Sequence, residues 1–376
     1  MSQRLLKIYD INLLKFTPGK DSDGNFVCHI NKIYDDERWR LPLDLELSDT
    51  GLASWLKRRG IPRNRAYVQN LLSKMGLNIK DTMGVIDICY GLSLNDSFWV
   101  TPSIFERSFA ECNLYDNAFD EFVAEVAFSG LGDFTKPFPR TSPEFTTGGM
   151  LAKAWRRCDN GIFLYKSGTS GFANAGKEPY SEYYSAQIAS MLGFKHTFYD
   201  LELWKDMLCS TCKLWTDINT AFIPIGHIIK TGSWDAVVDF YSNRGAQFIS
   251  GLKEMLIFDA IVINEDRHYG NFGVLLNSQT NEIIAPAPIF DNGLSLLWSE
   301  MESDIANYSE AIRVRLPKAY DNYIGAAQRF MTDTDKENLR KLRGFRFTRH
   351  PEHNLSEERL SCLEQMIQGQ VEKLLR

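Results

Sequence analysis

Long apolar runs are missing from this sequence. No stretch approaches the roughly 18 consecutive apolar residues that a membrane-spanning helix needs, and the longest candidate, 255–263, is interrupted by Asp259. Charged residues also interrupt the first ten positions, and no apolar stretch follows them, so no signal peptide is predicted. We therefore expect no membrane span.

An excess of positive charge and a regular cysteine pattern are also lacking. The 42 Lys and Arg residues against 48 Asp and Glu residues give a net charge of −6, which provides no general basic field for nucleic acid. The 7 cysteines are odd in number and irregularly spaced, which predicts reduced thiols in a cytoplasmic protein. Cys209 and Cys212 have redox or half-zinc spacing, but no second pair matches it, so packing thiols are expected.

The composition is that of an ordinary globular protein. The 376 residues are 44% hydrophobic and 24% charged, enough for two lobes or more. Strand-like segments precede long helical ones, which indicates an α+β fold. We predict an N-terminal accessory subdomain over 1–115, a strand-rich lobe over 116–225 and a helical lobe over 226–376, with a Gly/Pro-rich loop over 130–149.

Two short helices are predicted between residues 50 and 77. Leu52, Trp55 and Leu56 form the apolar stripe of the first, and the second ends before Gly76. We expect a solvated helical hairpin with surface arginines. The alternative is that these arginines hold a nucleic-acid backbone. The turn between the helices carries Arg58, Arg59, Arg63 and Arg65.

The strongest pattern is a polar loop between a helix and a hairpin. The helix is predicted over 247–262, and the loop runs from Asn264 to Gly273. A strand, a turn over 277–281 and a second strand then lead to Asp291. This arrangement places two acids and an amide on either side of one short hairpin.

Phosphoryl transfer requires such a set of groups. A carboxylate must lie beside the attacking hydroxyl, and oxygen ligands must hold the metal that bridges the phosphates. Asp266 and Asn271 have the spacing of one catalytic loop, and Asp291 follows the hairpin. We predict Asp266 as the catalytic carboxylate that orients or deprotonates the acceptor hydroxyl, with Asn271 and Asp291 as metal ligands. His268 could be a base, a ligand or, as we favour, a structural donor, and the role of Arg267 stays open.

A lysine and a glutamate upstream could position the phosphates. Lys166 is predicted on the apolar face of strand 161–166, where an ammonium needs a partner. Glu182 shares a helix face with Ala186 and Ala189, and this helix stops at glycine. We predict that Lys166 pairs with Glu182 and contacts the α/β-phosphates. The rival acid, Glu178, precedes a proline and is expected outside the helix.

A glycine turn precedes this strand. Gly148 and Gly149 would let backbone amides approach an anion closely, and Thr147 and Lys153 could assist. The chain order is then glycine turn, strand lysine, helix glutamate, catalytic loop and metal acid. This is the order found in kinases.

Over residues 140–300, these motifs resemble the HipA-like serine/threonine kinases, the toxin-type kinases of bacteria. The resemblance implies a bilobal protein-kinase-like fold, Mg²⁺ and transfer of the ATP γ-phosphate to a Ser or Thr hydroxyl. It implies that the glycine turn, Lys166 and His268 lie at the nucleotide, and that a hinge near 222–226 contacts adenine. It also suggests self-phosphorylation in the glycine turn, and a small antitoxin or DNA-binding partner. Residues 1–115 match no motif of the family. The candidates for self-phosphorylation are Ser142, Thr146 and Thr147.

Two other functions stay open. A phosphoinositide-type lipid or small-molecule kinase could share the Asp-Arg-His loop, with the basic run 340–349 facing anionic lipid. A solvated loop anchored by its phenylalanines is the simpler interpretation of that run. The other function is a non-catalytic module that binds DNA or protein.

Overall fold

The computed structural model describes residues 2–62, 65–74, 76–78, 80–131, 142–230 and 232–376. Arg63 and residues 132–141 of the Gly/Pro-rich stretch lie outside these residues. The strands are β1 (Arg4–Ile8), β2 (Ile11–Lys20), β3 (Phe26–Ile33), β4 (Phe98–Pro102), β5 (Lys153–Cys158), β6 (Gly161–Ser167), β7 (Asp200–Trp204), β8 (Met207–Lys213), β9 (Thr220–Pro224), β10 (Gly273–Asn277) and β11 (Glu282–Pro286). The helices are α1 (Asp49–Lys57), α2 (Val68–Lys74), α3 (Thr82–Cys89), α4 (Glu121–Ser129), α5 (Glu178–Leu192), α6 (Ile225–Ile228), α7 (Trp234–Ser242), α8 (Ala246–Val262), α9 (Tyr308–Arg313), α10 (Tyr323–Gln328), α11 (Asp333–Leu339) and α12 (Glu357–Leu375).

The chain divides into two compact units by its internal contacts. The first comprises Met1–Lys166, Leu214–Ile223 and Leu275–Ile284, and the second comprises the remaining segments. The first unit therefore contains most of the strands, and the second contains most of the long helices. The boundaries expected near 115 and 225 divide the chain by function and not by contacts, and they stay predictions.

The first unit begins with an antiparallel sheet in the order β3-β2-β1-β4. Alternate residues of β1 and β2, such as Leu6 and Phe16, point to one core, because successive strand side chains face opposite sides. Helix α1 packs its predicted apolar stripe into the same core. Ser48 caps this helix by accepting the N–H of Gly51 at 2.9 Å.

The arginines of the predicted helical hairpin do not form a solvated surface. Arg59 is 7% exposed and binds Asp96 at 2.7 Å, and Arg65 is 4% exposed and binds Glu144. Arg58 pairs with Asp44 at 2.7 Å. The prediction of surface arginines was wrong for Arg59 and Arg65. Because these two guanidinium groups are buried in internal ion pairs, they are also unsuited to holding a nucleic-acid backbone.

Helix α8 is the core of the second unit. Every side chain from Met255 to Val262 is buried, and α5, α7, α10 and α12 pack against the helix. A helix surrounded on all sides tolerates few polar groups, so Asp259 stands out among these side chains. The helix ends at Ile263, whose φ of 55° turns the chain into the polar loop.

The basic run of the second unit is largely paired with its own acids. Arg346 and Arg349 bind Glu364 at 2.8 and 3.1 Å, and Phe345 and Phe347 are each 4% exposed. The interpretation as a loop anchored by its phenylalanines is confirmed. Within the described ranges, none of the helices combines the length and apolar character needed to cross a lipid bilayer.

Candidate active site

The predicted catalytic loop is a closed turn held by its own hydrogen bonds. The side chain of Asn264 accepts the N–H of Asp266 at 3.0 Å. The carbonyl of Asp266 accepts the backbone N–H of His268 at 2.7 Å and the side-chain N–H of Asn271 at 3.1 Å. Asp266 and Asn271 are therefore fixed relative to each other within one loop of the second unit.

Arg267 joins this loop to the segment of the second acid. Its guanidinium is fully buried and binds the equally buried carboxylate of Asp259 at 2.9 and 3.0 Å. It also donates to the carbonyls of Asn271 at 2.7 Å and Phe290 at 2.9 Å, and to the side chain of Asn292 at 3.0 Å. One side chain thus holds the end of the catalytic loop and both neighbours of the predicted metal aspartate.

Burial and the ion pair have opposite effects on Asp259. Burial raises the pKa of this carboxyl above its ordinary value, while Arg267 and the hydroxyl of Tyr320 favour the ionised form. Tyr320 donates to Asp259 at 3.0 Å. A buried carboxylate needs such partners, and here they also anchor the catalytic loop.

Asp291 lies in a left-handed backbone conformation next to a half-buried tyrosine. Its φ is 56°, a conformation that costs free energy in a non-glycine residue and is held by surrounding structure. The N–H of Asp291 donates to the hydroxyl of Tyr199 at 3.0 Å. Burial raises the pKa of Tyr199 well above its ordinary value, and the carboxylates of Glu182 and Asp291 add to this rise.

Glu182 is fully buried on the inward face of α5, as its spacing with Ala186 and Ala189 predicted. The hydroxyl of Ser210 donates to one of its carboxylate oxygens. The other oxygen lies near Gly293, where an added Cβ atom would be 3.8 Å from it. The glutamate thus lies close to the Asp291 segment. Its predicted pairing with Lys166 joins residues of different units and stays a prediction.

Glu178 is the first residue of α5, so its expected place outside the helix was wrong. Pro179 is compatible with the first turn because the N–H it lacks has no helical partner there. Glu178 is fully buried, and one carboxylate oxygen accepts the N–H of Thr169 at 3.1 Å. The residue therefore organises the chain between β6 and α5.

His268 has contacts of the structural kind that we favoured. Its Nδ1 atom accepts the N–H of Gly270 at 2.9 Å, and its Nε2 atom lies 4.0 Å from Asp266. A contact between His268 and nucleotide stays a prediction.

In the glycine turn of the first unit, Gly149 lies against the ammonium group of Lys153. Gly149 has a φ of 87°, and a Cβ atom added there would lie 2.2 Å from Nζ of Lys153. Glycine thus serves both the backbone conformation and the close approach of the ammonium. An added Cβ atom at Gly148 would meet nothing within 4 Å. The two glycines, which looked equivalent in the sequence, have different structural demands.

A buried arginine clamps the two ends of this turn. Arg65 donates to the carbonyls of Thr147 at 3.3 Å and Lys153 at 2.9 Å, and it also binds both the carbonyl and the carboxylate of Glu144. Burial raises the pKa of Glu144, although Arg65 and Lys153 oppose the rise. The backbone of the turn is therefore held by hydrogen bonds from Arg65, a residue of the region 1–115.

Lys153 and Lys166 face each other across the β5–β6 hairpin. They are partners in its register, and each is 7% exposed. Like charges directly opposite in a sheet are destabilising unless anions lie nearby. Glu144, whose carboxyl is influenced by Lys153, is such an anion. A contact of the two lysines with phosphate oxygens stays a prediction.

The hydroxyls proposed for self-phosphorylation are all engaged. Ser142 is 1% exposed and accepts the N–H of Glu144 at 3.4 Å. Thr146 donates to Leu92 and Thr147 to Pro143, each at 2.7 Å. Modification here would require these contacts to open, and it stays a prediction.

The predicted metal ligands suit Mg²⁺. The amide nitrogen of Asn271 binds within the loop, so its oxygen is the atom suited to a cation, and Asp291 supplies a carboxylate. Among the residues described, no group of three or more His, Cys, Asp or Glu side chains is arranged to hold a metal. An ion at this pair would take its other oxygens from phosphates and water, which is the usual coordination of Mg²⁺.

Several important residues were missed at the level of sequence. Asp259 carried a usable signal, because a charge inside an apolar helix needs a partner. Arg65 and Tyr199 carried none, since the partners of these residues lie 79 and 92 residues away. A further contact of this kind joins Lys318 to Asp266 across 52 residues.

No protein-family model and no curated protein matches the sequence. Among solved structures, the chain is similar to HipA of Shewanella oneidensis MR-1 in its complex with HipB and operator DNA. The identity is 11% and the TM-score 0.53, covering 99% of this chain and 96% of that chain. The proinflammatory kinase CtkA of Helicobacter pylori has 17% identity and a TM-score of 0.46, covering 61% of this chain and 90% of that chain. The likeness to HipA confirms the α+β kinase-like fold and, at the level of the fold, the resemblance to HipA-like kinases. It also includes residues 1–115, which no motif matched.

Replacing Gly149 by alanine is expected to lower the free energy of unfolding by about 1–2 kcal/mol, because an L residue is strained at this φ, and to displace the ammonium of Lys153. Gly148→Ala is the matched control and should change stability by less than about 0.5 kcal/mol. Urea unfolding of both variants checks the difference. Equal effects of the two substitutions would contradict the described turn.

Replacing Arg267 by methionine is expected to cost about 3–5 kcal/mol, because Asp259 is left charged and buried without its partner. Arg313→Ala is the control, since Arg313 and Glu310 form an ion pair with side chains 74% and 71% exposed, and it should cost at most about 1 kcal/mol. Chemical unfolding with tryptophan fluorescence measures both. A stable Arg267→Met variant would show that the buried pair does not hold the loop.

Proposed function

We propose that the chain is an ATP-dependent serine/threonine protein kinase that transfers the γ-phosphate of Mg-ATP to a protein hydroxyl. The observation that carries this proposal is the bridge made by Arg267. It fixes the loop of Asp266 and Asn271 to the residues on either side of Asp291. These are the groups that phosphoryl transfer needs within one site.

Each polar group has a defined role in this proposal. Asp266 orients the acceptor hydroxyl and takes its proton as the new bond to phosphorus forms. Asn271 and Asp291 hold Mg²⁺, which supplies positive charge to the phosphate oxygens when bound. Lys166, aided by Glu182, contacts the α/β-phosphates. The glycine turn, with Thr147, Gly148, Gly149 and Lys153, covers the remaining phosphate oxygens.

The hinge proposed for adenine is the segment 222–226. Phe222 and Ile223 are 7% and 9% exposed, and β9 ends at Pro224 where α6 begins. The chain also passes from the first unit to the second between Ile223 and Pro224. In this segment the N–H groups of Phe222, Ile225 and Gly226 already donate to the carbonyls of Asn95, Phe272 and Tyr269. The proposed contact with adenine therefore relies on the other backbone groups of the segment.

A lipid substrate receives less support. The basic run 340–349 would have to face anionic headgroups, yet Arg346 and Arg349 are bound to Glu364. Phosphorylation of casein compared with that of phosphatidylinositol vesicles separates the two substrates. We expect label on protein.

A partner in a toxin–antitoxin pair is a further part of the proposal. The solved HipA structure contains HipB and operator DNA, and the present chain shares that fold along nearly its whole length. We propose a small antitoxin or DNA-binding protein as a partner. We also propose a cytoplasmic location, with which seven cysteines that form no disulfide agree. A non-catalytic module would not bind Mg-ATP, and the absence of thermal stabilisation by Mg-ATP would favour it.

Incubation with γ-labelled ATP and casein tests the catalytic roles. Asp266→Asn and Asp291→Ala are each expected to reduce labelling by at least about 100-fold, and chelation of Mg²⁺ should abolish it. Asp235→Asn is the control, because the side chain of Asp235 is 84% exposed and its ion pair with Arg329 is long, at 3.9 Å. Labelling that survives both active-site substitutions would refute the assignment.

A further inference from the structure

A lysine from outside the catalytic loop contacts the proposed catalytic carboxylate. The Nζ atom of Lys318 lies 2.5 Å from Oδ1 of Asp266, and the two side chains are 58% and 21% exposed. Exposed ion pairs contribute little to stability. Stabilisation of the fold therefore does not explain why a lysine is held at this carboxylate.

The backbone around Lys318 is anchored on both sides to residues next to the catalytic loop. Arg315 binds Glu265, the residue before Asp266, at 2.8 Å. Tyr320 donates to Asp259 at 3.0 Å, and Asp259 is the acid that holds Arg267. A fixed backbone thus carries an exposed, flexible side chain to the carboxylate.

The ammonium competes with the acceptor hydroxyl for Asp266. A hydroxyl that gives its proton to this carboxylate must approach one of its oxygens within hydrogen-bond distance, and Lys318 occupies Oδ1. The ion pair is weak and exposed, and the lysine side chain has four rotatable bonds. Its ammonium can therefore leave the carboxylate easily. The displaced ammonium then lies close to the phosphoryl group, which must pass beside the same carboxylate.

Positive charge close to its oxygens stabilises the transferring phosphoryl group, in addition to the charge that Mg²⁺ would supply. Its negative charge is spread over three oxygens in the transition state. Nδ1 of His268 is occupied by the N–H of Gly270 within the loop. Arg267 is turned towards Asp259 and the backbone. Lys318 is a cation in direct contact with Asp266.

We propose that Lys318 is a catalytic residue that leaves Asp266 and binds the oxygens of the transferring phosphoryl group. This inference rests on the proposed kinase function. In the step, a bond forms between the acceptor oxygen and the γ-phosphorus, and the bond from that phosphorus to the β–γ bridging oxygen breaks. ADP keeps the electron pair of the broken bond, and the hydroxyl proton goes to Asp266. Lys318 keeps its proton throughout.

Two measurements on the full chain test this role. The first is the kcat and KM for labelling of casein by ATP. The second is the rise in Tm when aluminium fluoride, which mimics the transferring phosphoryl group, is added to the protein with Mg-ADP. Lys318→Met is expected to lower kcat by about 100-fold or more, to leave the KM for ATP within about 2-fold, and to lose the aluminium fluoride effect. Lys318→Arg keeps the charge, so it should retain most of the wild-type kcat and most of the aluminium fluoride effect.

Arg313→Ala is the matched control, because it breaks an exposed ion pair nearby and should behave as the wild type. Lys318→Met with unchanged kcat and an unchanged response to aluminium fluoride overturns the inference. So does a parallel loss of Tm and Mg-ADP binding, which would make Lys318 a structural residue. In both cases, wild-type labelling that depends on Asp266 leaves the kinase function standing. A wild-type protein that neither binds Mg-ADP nor labels casein removes both proposals together.

Discussion

The buried ion pair between Arg267 and Asp259 is the interaction on which the candidate site depends. It lies at the end of the central helix α8, in surroundings that exclude water. Two charges are costly to bury, and the remaining donors of Arg267 are used on the backbone of the catalytic loop and of the Asp291 segment. The core of the second unit and its polar loop are therefore stabilised by the same contacts. A change in packing around α8 would be transmitted to the proposed catalytic groups.

A second buried arginine has a comparable role in the first unit. Arg65 binds backbone carbonyls at both ends of the glycine turn, and Glu144 neutralises it. In each unit, a buried guanidinium donates several hydrogen bonds to the backbone of a loop and of the residues that flank it. Arginine suits this task because its planar fork satisfies several carbonyls at once while its charge is balanced by one acid. The region 1–115 is thus structurally linked to the turn proposed to cover phosphate.

The parts of the site that were predictable have local causes. The end of α5 at Gly193, the course of α8 and the hydrogen-bonded turn from Asp266 to Asn271 follow from periodicity and from residues a few positions apart. The clamp of Arg65 and the contact of Lys318 with Asp266 depend on how distant segments close, and no short pattern encodes this. The arginines near residue 60 illustrate the limit. Their sequence context is that of an exposed turn, and only the fold places acids against them.

A crystal structure with Mn²⁺ and a non-hydrolysable ATP analogue would test the central claim most directly. The anomalous signal of Mn²⁺ locates the cation independently of any activity. The account predicts one strong peak within coordination distance of both the Asn271 amide oxygen and the Asp291 carboxylate, with the Arg267 contacts intact. A nucleotide bound with its cation away from these two side chains would contradict it.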